Sequence, residues 1–271
     1  MSSHSPKTAL VTGASSGIGR ASAEALARAG FTVFGTSRKP GGTAPGQVTM
    51  LACDVTDDSS VAALVSQVLA RTGRIDVLVN NAGVGMFGGA EESSSAQVQR
   101  LYDVNLFGVV RVINAVLPSM RARGQGRILN LSSALGFIPA PYSAHYAGSK
   151  FAVEGYSESL DHEVRAFNVR VSLIEPGTVT GNFDQSALEP DAKKPEYDGG
   201  RAWVHDFIRK SLPKAVSPEE VAEAVLRAAT TSRHRLRYPV GKVAKQASLL
   251  RSLMPARLFD KALRQQFGLP R

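Results

Sequence analysis

The sequence predicts an α/β fold: a single-domain, doubly wound parallel β-sheet with helices over both faces, α/β/α in three layers. Short apolar runs alternate with longer helical segments, without an internal repeat, as parallel strands joined by helical crossovers do. Several runs are nearly continuous in apolar residues, as strands covered on both faces must be. A glycine-rich turn links the first run to an alanine-rich segment, the strand-turn-helix order in which a phosphate cradle occurs. At 271 residues and 43% hydrophobic content, the chain suits one substantial core, and residues 1–271 are read as one domain.

Taken in order, Thr8-Ala9-Leu10-Val11 is a buried strand by length and β-branching. The alanine-rich stretch 20–29 is the first helix. Further strands are expected at 32–35, 49–52, 77–80, 127–131, 169–174 and near 236–240. Helices fill the gaps at 59–72, 96–123, 144–167 and 218–230. Those at 96–123 and 144–167 are each too long to be covered by one small sheet. The last has a clear start, with Ser217 as N-cap, Pro218 at the first helical position and Glu220 three residues after the cap. Residues 181–214 break the pattern: Glu189-Pro190-Asp191, Lys193-Lys194-Pro195 and Asp198-Gly199-Gly200 cannot supply a core strand. Within that stretch, 202–208 reads as one amphipathic helix. Right-handed crossovers put the carboxyl ends of all strands on one edge, where ligands bind in such sheets.

Two motifs sit at that edge. In Thr12-Gly13-Ala14-Ser15-Ser16-Gly17-Ile18-Gly19, Gly13 permits a tight turn and Gly17 lets a pyrophosphate approach the backbone. Gly19 lets the helix pack closely on the strand, its N-terminus facing the anion. The glycines are spaced three residues then one, not one then two. The second motif is Tyr146-Ala147-Gly148-Ser149-Lys150, with Ser133 thirteen residues upstream of the tyrosine. On a helix, Tyr146 and Lys150 share a face, and a nearby ammonium lowers a phenol pKa from its usual value of about 10. Such a tyrosine can act as a general acid/base near neutral pH.

Together, in this order, the motifs resemble the short-chain dehydrogenase/reductase family, over residues 7–230. The resemblance implies a Rossmann-type fold and hydride transfer between a nicotinamide and a carbonyl or alcohol carbon. It implies that Tyr146 is the acid/base, that Lys150 lowers its pKa and bonds the nicotinamide ribose, and that Ser133 orients the substrate oxygen. Asn105 matches the fourth catalytic residue, holding a water that links Lys150 to solvent. Ser15, Ser16 and Ile18 join Gly13, Gly17 and Gly19 in the cofactor loop. Asn81, Ala82 and Gly83 would steady the sheet and touch the adenosine side, and Asp54 with Val55 would meet the adenine. Pro176 and Gly177 form the turn beside the nicotinamide, with Val179 and Thr180 after it. The family often places a threonine where this chain has Gly181, so Thr180 or Thr178 would take over its contact with the nicotinamide amide.

The cofactor expected is NADP(H). The second strand ends at Ser37, where NAD-dependent members carry an acid, and Arg38 and Lys39 follow; a guanidinium fork matches a 2′-phosphate. The resemblance also makes 181–214 a mobile substrate lid and pairs the two long helices with symmetry mates in a homodimer or homotetramer. Phe137 near the catalytic residues, and Phe183, Trp203 and Phe207 in the lid, favour a hydrophobic alcohol or ketone, as in relatives acting on steroids, retinoids or other lipophilic carbonyls. A 3-ketoacyl-thioester reductase and a non-catalytic NADP(H) sensor stay open as alternatives.

Composition sets limits. No stretch approaches 18 uninterrupted apolar residues, so no transmembrane helix is expected. No apolar signal-like region precedes the first strand, and the single Cys53 at an apparent strand end reads as a small buried hydrophobe in a reducing, cytoplasmic setting. No His, Cys and carboxylate cluster has ligand-like spacing, and no metal is expected. Residues 231–271 carry ten Lys/Arg against only Asp260, equal to the net +9 of the whole chain. Leu249, Leu250, Leu253, Leu258, Phe259, Leu263 and Phe267 are interleaved, with Pro255 as a break. Such a tail could contact an anionic membrane surface, steer an acidic substrate, or pack on the body or a partner subunit. Nucleic-acid binding is not expected, because no base-stacking aromatics accompany the charges.

Overall fold

The apolar runs become strands β1 (Thr8–Val11), β2 (Thr32–Ser37), β3 (Val48–Ala52), β4 (Val77–Asn80), β5 (Gly126–Leu131), β6 (Val169–Pro176) and β7 (Arg237–Val240). They form one sheet in the order β3-β2-β1-β4-β5-β6-β7, with every neighbouring pair parallel. The computed structural model describes residues 6–39, 47–181, 183 and 187–267. Residues 182 and 184–186 of the expected lid, the N-terminal 1–5 and Arg271 of the basic tail lie outside them.

The connecting helices are α1 (Gly17–Arg28), α2 (Asp58–Thr72), α3 (Ser95–Tyr102), α4 (Gly108–Arg123), α5 (Ala144–Val164), α6 (Asp198–Ser211), α7 (Pro218–Thr230), α8 (Lys242–Leu253) and α9 (Ala256–Gln266). Alternate strand residues point to opposite faces, so each face builds its own core. Leu10, Leu78 and Ile128 pack with Val65 and Val68 of α2, Val112 and Ile113 of α4, and Leu160 of α5. On the other face Val11, Val79, Leu129 and Ile174 pack with Leu26 of α1 and Val221 and Val225 of α7. Local chemistry sets several ends: Asp57 accepts from the amides of Ser59 and Ser60 at the start of α2, and Ser217 accepts from Glu220 N at the start of α7.

Three elements differ from expectation. Helix α1 begins at Gly17 rather than residue 20, so the second half of the glycine turn is the first turn of the helix. The lid helix is longer than the expected 202–208. The long segment 96–123 is one continuous helical run, Ser95–Arg123, but Asp103–Phe107 within it is π-helical. By length and composition this run could cross a bilayer; its Val109, Val112, Ile113, Val116 and Met120 instead lie in the core.

Candidate active site

Helix α5 buries a row of polar residues beside its apolar Val153, Leu160 and Val164. Tyr146, Ser149, Lys150, Glu154, Ser157 and Asp161 are all buried on it, at spacings that share a helix face. Burying polar groups is unfavourable unless each finds a partner, and neighbouring elements supply several. Asn80 Nδ2 donates to Asn130 Oδ1 at 2.9 Å, and Asn130 Nδ2 donates to Ser157 Oγ at 2.9 Å. This buried chain locks β4, β5 and α5 in register, which fixes where Tyr146 and Lys150 sit.

Lys150 Nζ donates to the Leu131 carbonyl at 2.9 Å and stands 5.9 Å from the centre of the Tyr146 ring. Burial pushes the ammonium down to about 8, with the nearby Glu154 charge opposing it. The Tyr146 ring is 6% exposed, with the rings of Phe87 and Phe183 at 5.9 and 6.0 Å between centres. Ser133 lies two residues beyond β5 in extended backbone, and its Oγ accepts from Leu135 N at 3.1 Å. That role leaves the hydroxyl hydrogen for another acceptor. A phenol, an adjacent ammonium and a hydroxyl donor in an apolar mouth can exchange a proton with a substrate oxygen.

The glycine turn sits at the switch point between β1 and β4, where the strand order reverses. Asn81 clamps it, its Nδ2 donating to the carbonyls of Thr12 and Gly13 at 3.0 Å each. Thr12 Oγ1 in turn accepts from the amides of Asn81 and Ala82. Gly17 has φ +52 and open space where a side chain would be, whereas a Cβ on Gly19 would come 2.2 Å from the Gly13 carbonyl oxygen. The first is a free approach to backbone, the second a tight packing contact. No side chain caps α1, so the N–H groups of its first turn face outward with Ser15, Ser16 and Gly17, all exposed. At the end of β2, Ser37 Oγ is buried with no hydrogen-bond partner among the described residues. Exposed Arg38 follows it and faces Asp54, whose carboxyl is held below its usual range chiefly by hydrogen bonds from Thr56. The open helix N-terminus, the cleared backbone and the orphaned hydroxyl fit a dinucleotide.

The family model described as short chain dehydrogenase matches residues 7–192. The chain belongs to the short-chain dehydrogenase/reductase family. It is 37% identical over 262 residues to 3-ketodihydrosphingosine reductase of Bacteroides thetaiotaomicron, covering 96% of this chain and 97% of that protein. Among solved structures, a short-chain dehydrogenase from Streptomyces avermitilis superposes with a TM-score of 0.83 at 33% identity, covering 99% of this chain and all of the other. A metagenomic short-chain oxidoreductase in complex with NADP superposes with a TM-score of 0.69 at 32% identity, covering 88% of this chain and 98% of that one.

Members of this family are dehydrogenases or reductases using nicotinamide cofactors, and the residues expected from the sequence fall on one edge of the sheet. Asn105, 1% exposed in the π-helical turn, gives its amide to backbone: Oδ1 accepts from Val84 N and Nδ2 donates to Val84 O, each at 2.9 Å. Nδ2 also donates to Ser149 Oγ at 3.1 Å. The side-chain amide of Asn105 thus clasps the segment after Gly83 to α5. Val55 turns its side chain into the core against Gly108, leaving only its backbone to meet an adenine. Beyond Pro176 and Gly177, Val179 bridges to Val216, while Thr178 O and Thr180 N bond the Val216 backbone. Gly181 has φ +132, a conformation a threonine rarely adopts. Phe137 is half-buried at the end of the turn that Ser133 caps. Cys53 is buried, and burial pushes its thiol up.

The expected lid is anchored to the body at one end. Glu92, fully buried, accepts from the amides of Gly89 and Lys194 and pairs with Arg201 of α6. Asp191 accepts from Ser94 N and Oγ. The part of the lid from 188 to 201 is thus bonded to the segment before α3. Trp203 and Phe207 stack on each other at 5.3 Å and both meet Phe267, beyond α9, at 6.1 and 5.3 Å. They pin the tail to the lid; of the aromatic residues expected around the substrate, Phe183 is the one whose ring meets Tyr146. Phe87 was not foreseen, although it stands only four residues beyond Gly83.

Proposed function

We propose that this protein interconverts a lipophilic ketone and alcohol with NADP(H), with Tyr146 as the general acid/base. The observation that carries this reading is Tyr146 flanked by Phe87 and Phe183 with the buried Lys150 beside it. The cofactor, when bound, supplies the hydride. Tyr146 gives its proton to the carbonyl oxygen during reduction and takes it back during oxidation. Lys150, charged below about pH 8, favours the phenolate, and Ser133 holds the substrate oxygen. Two aromatic rings around the acid suit an apolar chain next to the reacting carbon. The relative named 3-ketodihydrosphingosine reductase supports the same class.

NADP(H) over NAD(H) rests on Ser37 and Arg38. A carboxylate at Ser37 would repel a 2′-phosphate, whereas Ser37 adds no charge and the exposed Arg38 would receive the phosphate. One charge-assisted hydrogen bond contributes about 1.5–3 kcal/mol, so NADPH is expected to bind about tenfold to a hundredfold more tightly than NADH. Ser37→Asp combined with Arg38→Ala should reverse the order, chiefly by weakening NADPH. Fluorescence titration of both cofactors on both proteins measures this, and equal affinities in the wild type would overturn the assignment.

We further propose a homodimer, or a dimer of dimers, through the two long helices. Phe107 at the start of α4 and Phe151 on α5 are 51% and 40% exposed, on helices whose other sides are core. Covering them against a symmetry mate removes apolar area from water. Light scattering at micromolar concentration should give a dimer or tetramer mass; a monomer mass contradicts this.

A further inference from the structure

We propose that α8 and α9 form a docking surface for an anionic lipid bilayer. Helices in water normally turn apolar residues inward. Helix α8 does the reverse: it buries only Ala244 and leaves Val243, Leu249, Leu250 and Leu253 at 47%, 59%, 47% and 72% exposure. Val243 and Leu250 are seven residues apart, and Leu249 and Leu253 four apart, so the four share one broad exposed face. Leu258 on α9 is likewise 53% exposed. The same two helices carry Lys242, Lys245, Arg251, Arg257, Lys261 and Arg264 against the single acid Asp260. Exposed leucines rimmed by cations match a surface with acyl chains beneath anionic headgroups.

The other occupants fit less well. The tail already packs on its own body by different residues, Phe259 and Phe267, 5% and 8% exposed. The leucines are therefore left over after that packing. A second copy of this chain on the same face would set its basic side chains against their own counterparts, because a two-fold interface is self-complementary. A nucleic acid would leave the leucines without a role. Phe267 also ties α9 to Trp203 and Phe207 of the lid, and Trp203 meets Tyr142, four residues before Tyr146. A bilayer held by the tail would lie against the same block that borders the active site, a suitable arrangement for a substrate that partitions into lipid.

Co-sedimentation of the full chain with phosphatidylcholine vesicles, and with an equal mixture of phosphatidylcholine and phosphatidylglycerol, tests this. Binding is expected to the mixed vesicles, at least about tenfold tighter than to the neutral ones, and weaker at higher salt. Leu249→Ser/Leu250→Ser/Leu253→Ser and, separately, Lys245→Gln/Arg257→Gln/Lys261→Gln should each weaken it at least about tenfold. Both sets lie on exposed positions, so NADPH titration and thermal unfolding should match the wild type. Equal binding to both vesicle types, binding to neither, or full binding by either variant overturns the proposal. So does a leucine variant that keeps its vesicle affinity while its light-scattering mass falls to that of a smaller oligomer, which would make the stripe a subunit interface.

Discussion

Replacing Arg237 by leucine is expected to cost about 2–3 kcal/mol of stability at pH 8, below the usual effect of removing one partner from a fully buried pair because its side chain is 34% exposed. Arg237 on β7 is the counter-ion for three acids. It pairs with Glu154 of α5 and Glu175 of β6, both buried, and with the half-exposed Glu158 at 2.7 Å. Glu154 follows Lys150 by one helical turn, and Glu175 precedes Pro176, so the arginine clips the catalytic helix to the strand that leads to the Pro-Gly turn. Burial holds the carboxyls of Glu154 and Glu175 above the usual range, and their mutual repulsion adds to this for Glu175. A carboxyl with a raised folded-state pKa contributes its full stability below its unfolded value, about 4.3 for glutamate. That contribution is lost as pH rises from there through the folded value. Without Arg237 both carboxyls shift further up and the loss extends to higher pH. The deficit should therefore be small near pH 5 and widen as pH rises through about 8, the folded-state value of Glu175, in denaturant unfolding. Wild-type stability at pH 8 would show that the cluster is not buried as described.

Tyr146→Phe removes one hydroxyl and nothing else from a ring packed against Phe87 and Phe183. Fold and NADPH binding should survive, while turnover falls by about 10²–10⁴, the range for a lost general acid/base. Lys150→Met should lose turnover and also weaken NADPH. It takes away the charge that favours the phenolate and leaves the Leu131 carbonyl without its 2.9 Å partner. The contrast between the two variants separates proton transfer from positioning.

Much of the fold can be read from the chain because its signals are local. The span of α7 coincides with the expected 218–230, since Ser217, Pro218 and Glu220 act within one turn. Strands β1 and β4 fall where their apolar runs do. The start of α1 lies three residues earlier than expected because Gly17 and Gly19 have poor helix propensity, and tertiary packing against Gly13 overrides it. The π-helical turn at Asn105 lies inside one helical run, which reads from the sequence as a single helix. The site residues that escaped sequence reasoning are those joined across the fold. Arg237 lies 83 residues from Glu154 and 62 from Glu175, and Arg201 lies 109 from Glu92; each reads alone as an ordinary surface charge. Asn130 carried a local signal, an amide within the apolar strand Gly126–Leu131, but its partner Ser157 did not.

The most direct test of the central claim is steady-state NADPH oxidation by the wild type and Tyr146→Phe over a panel of carbonyls. The panel should hold long-chain ketones, 3-ketoacyl thioesters and polar sugars. The account predicts turnover on the long-chain ketones by the wild type, little on the sugars, and collapse of the rate in Tyr146→Phe with NADPH affinity retained. Tight NADPH binding without turnover on any carbonyl would contradict it and favour a sensing role, and an undiminished rate in Tyr146→Phe would contradict the acid/base assignment itself.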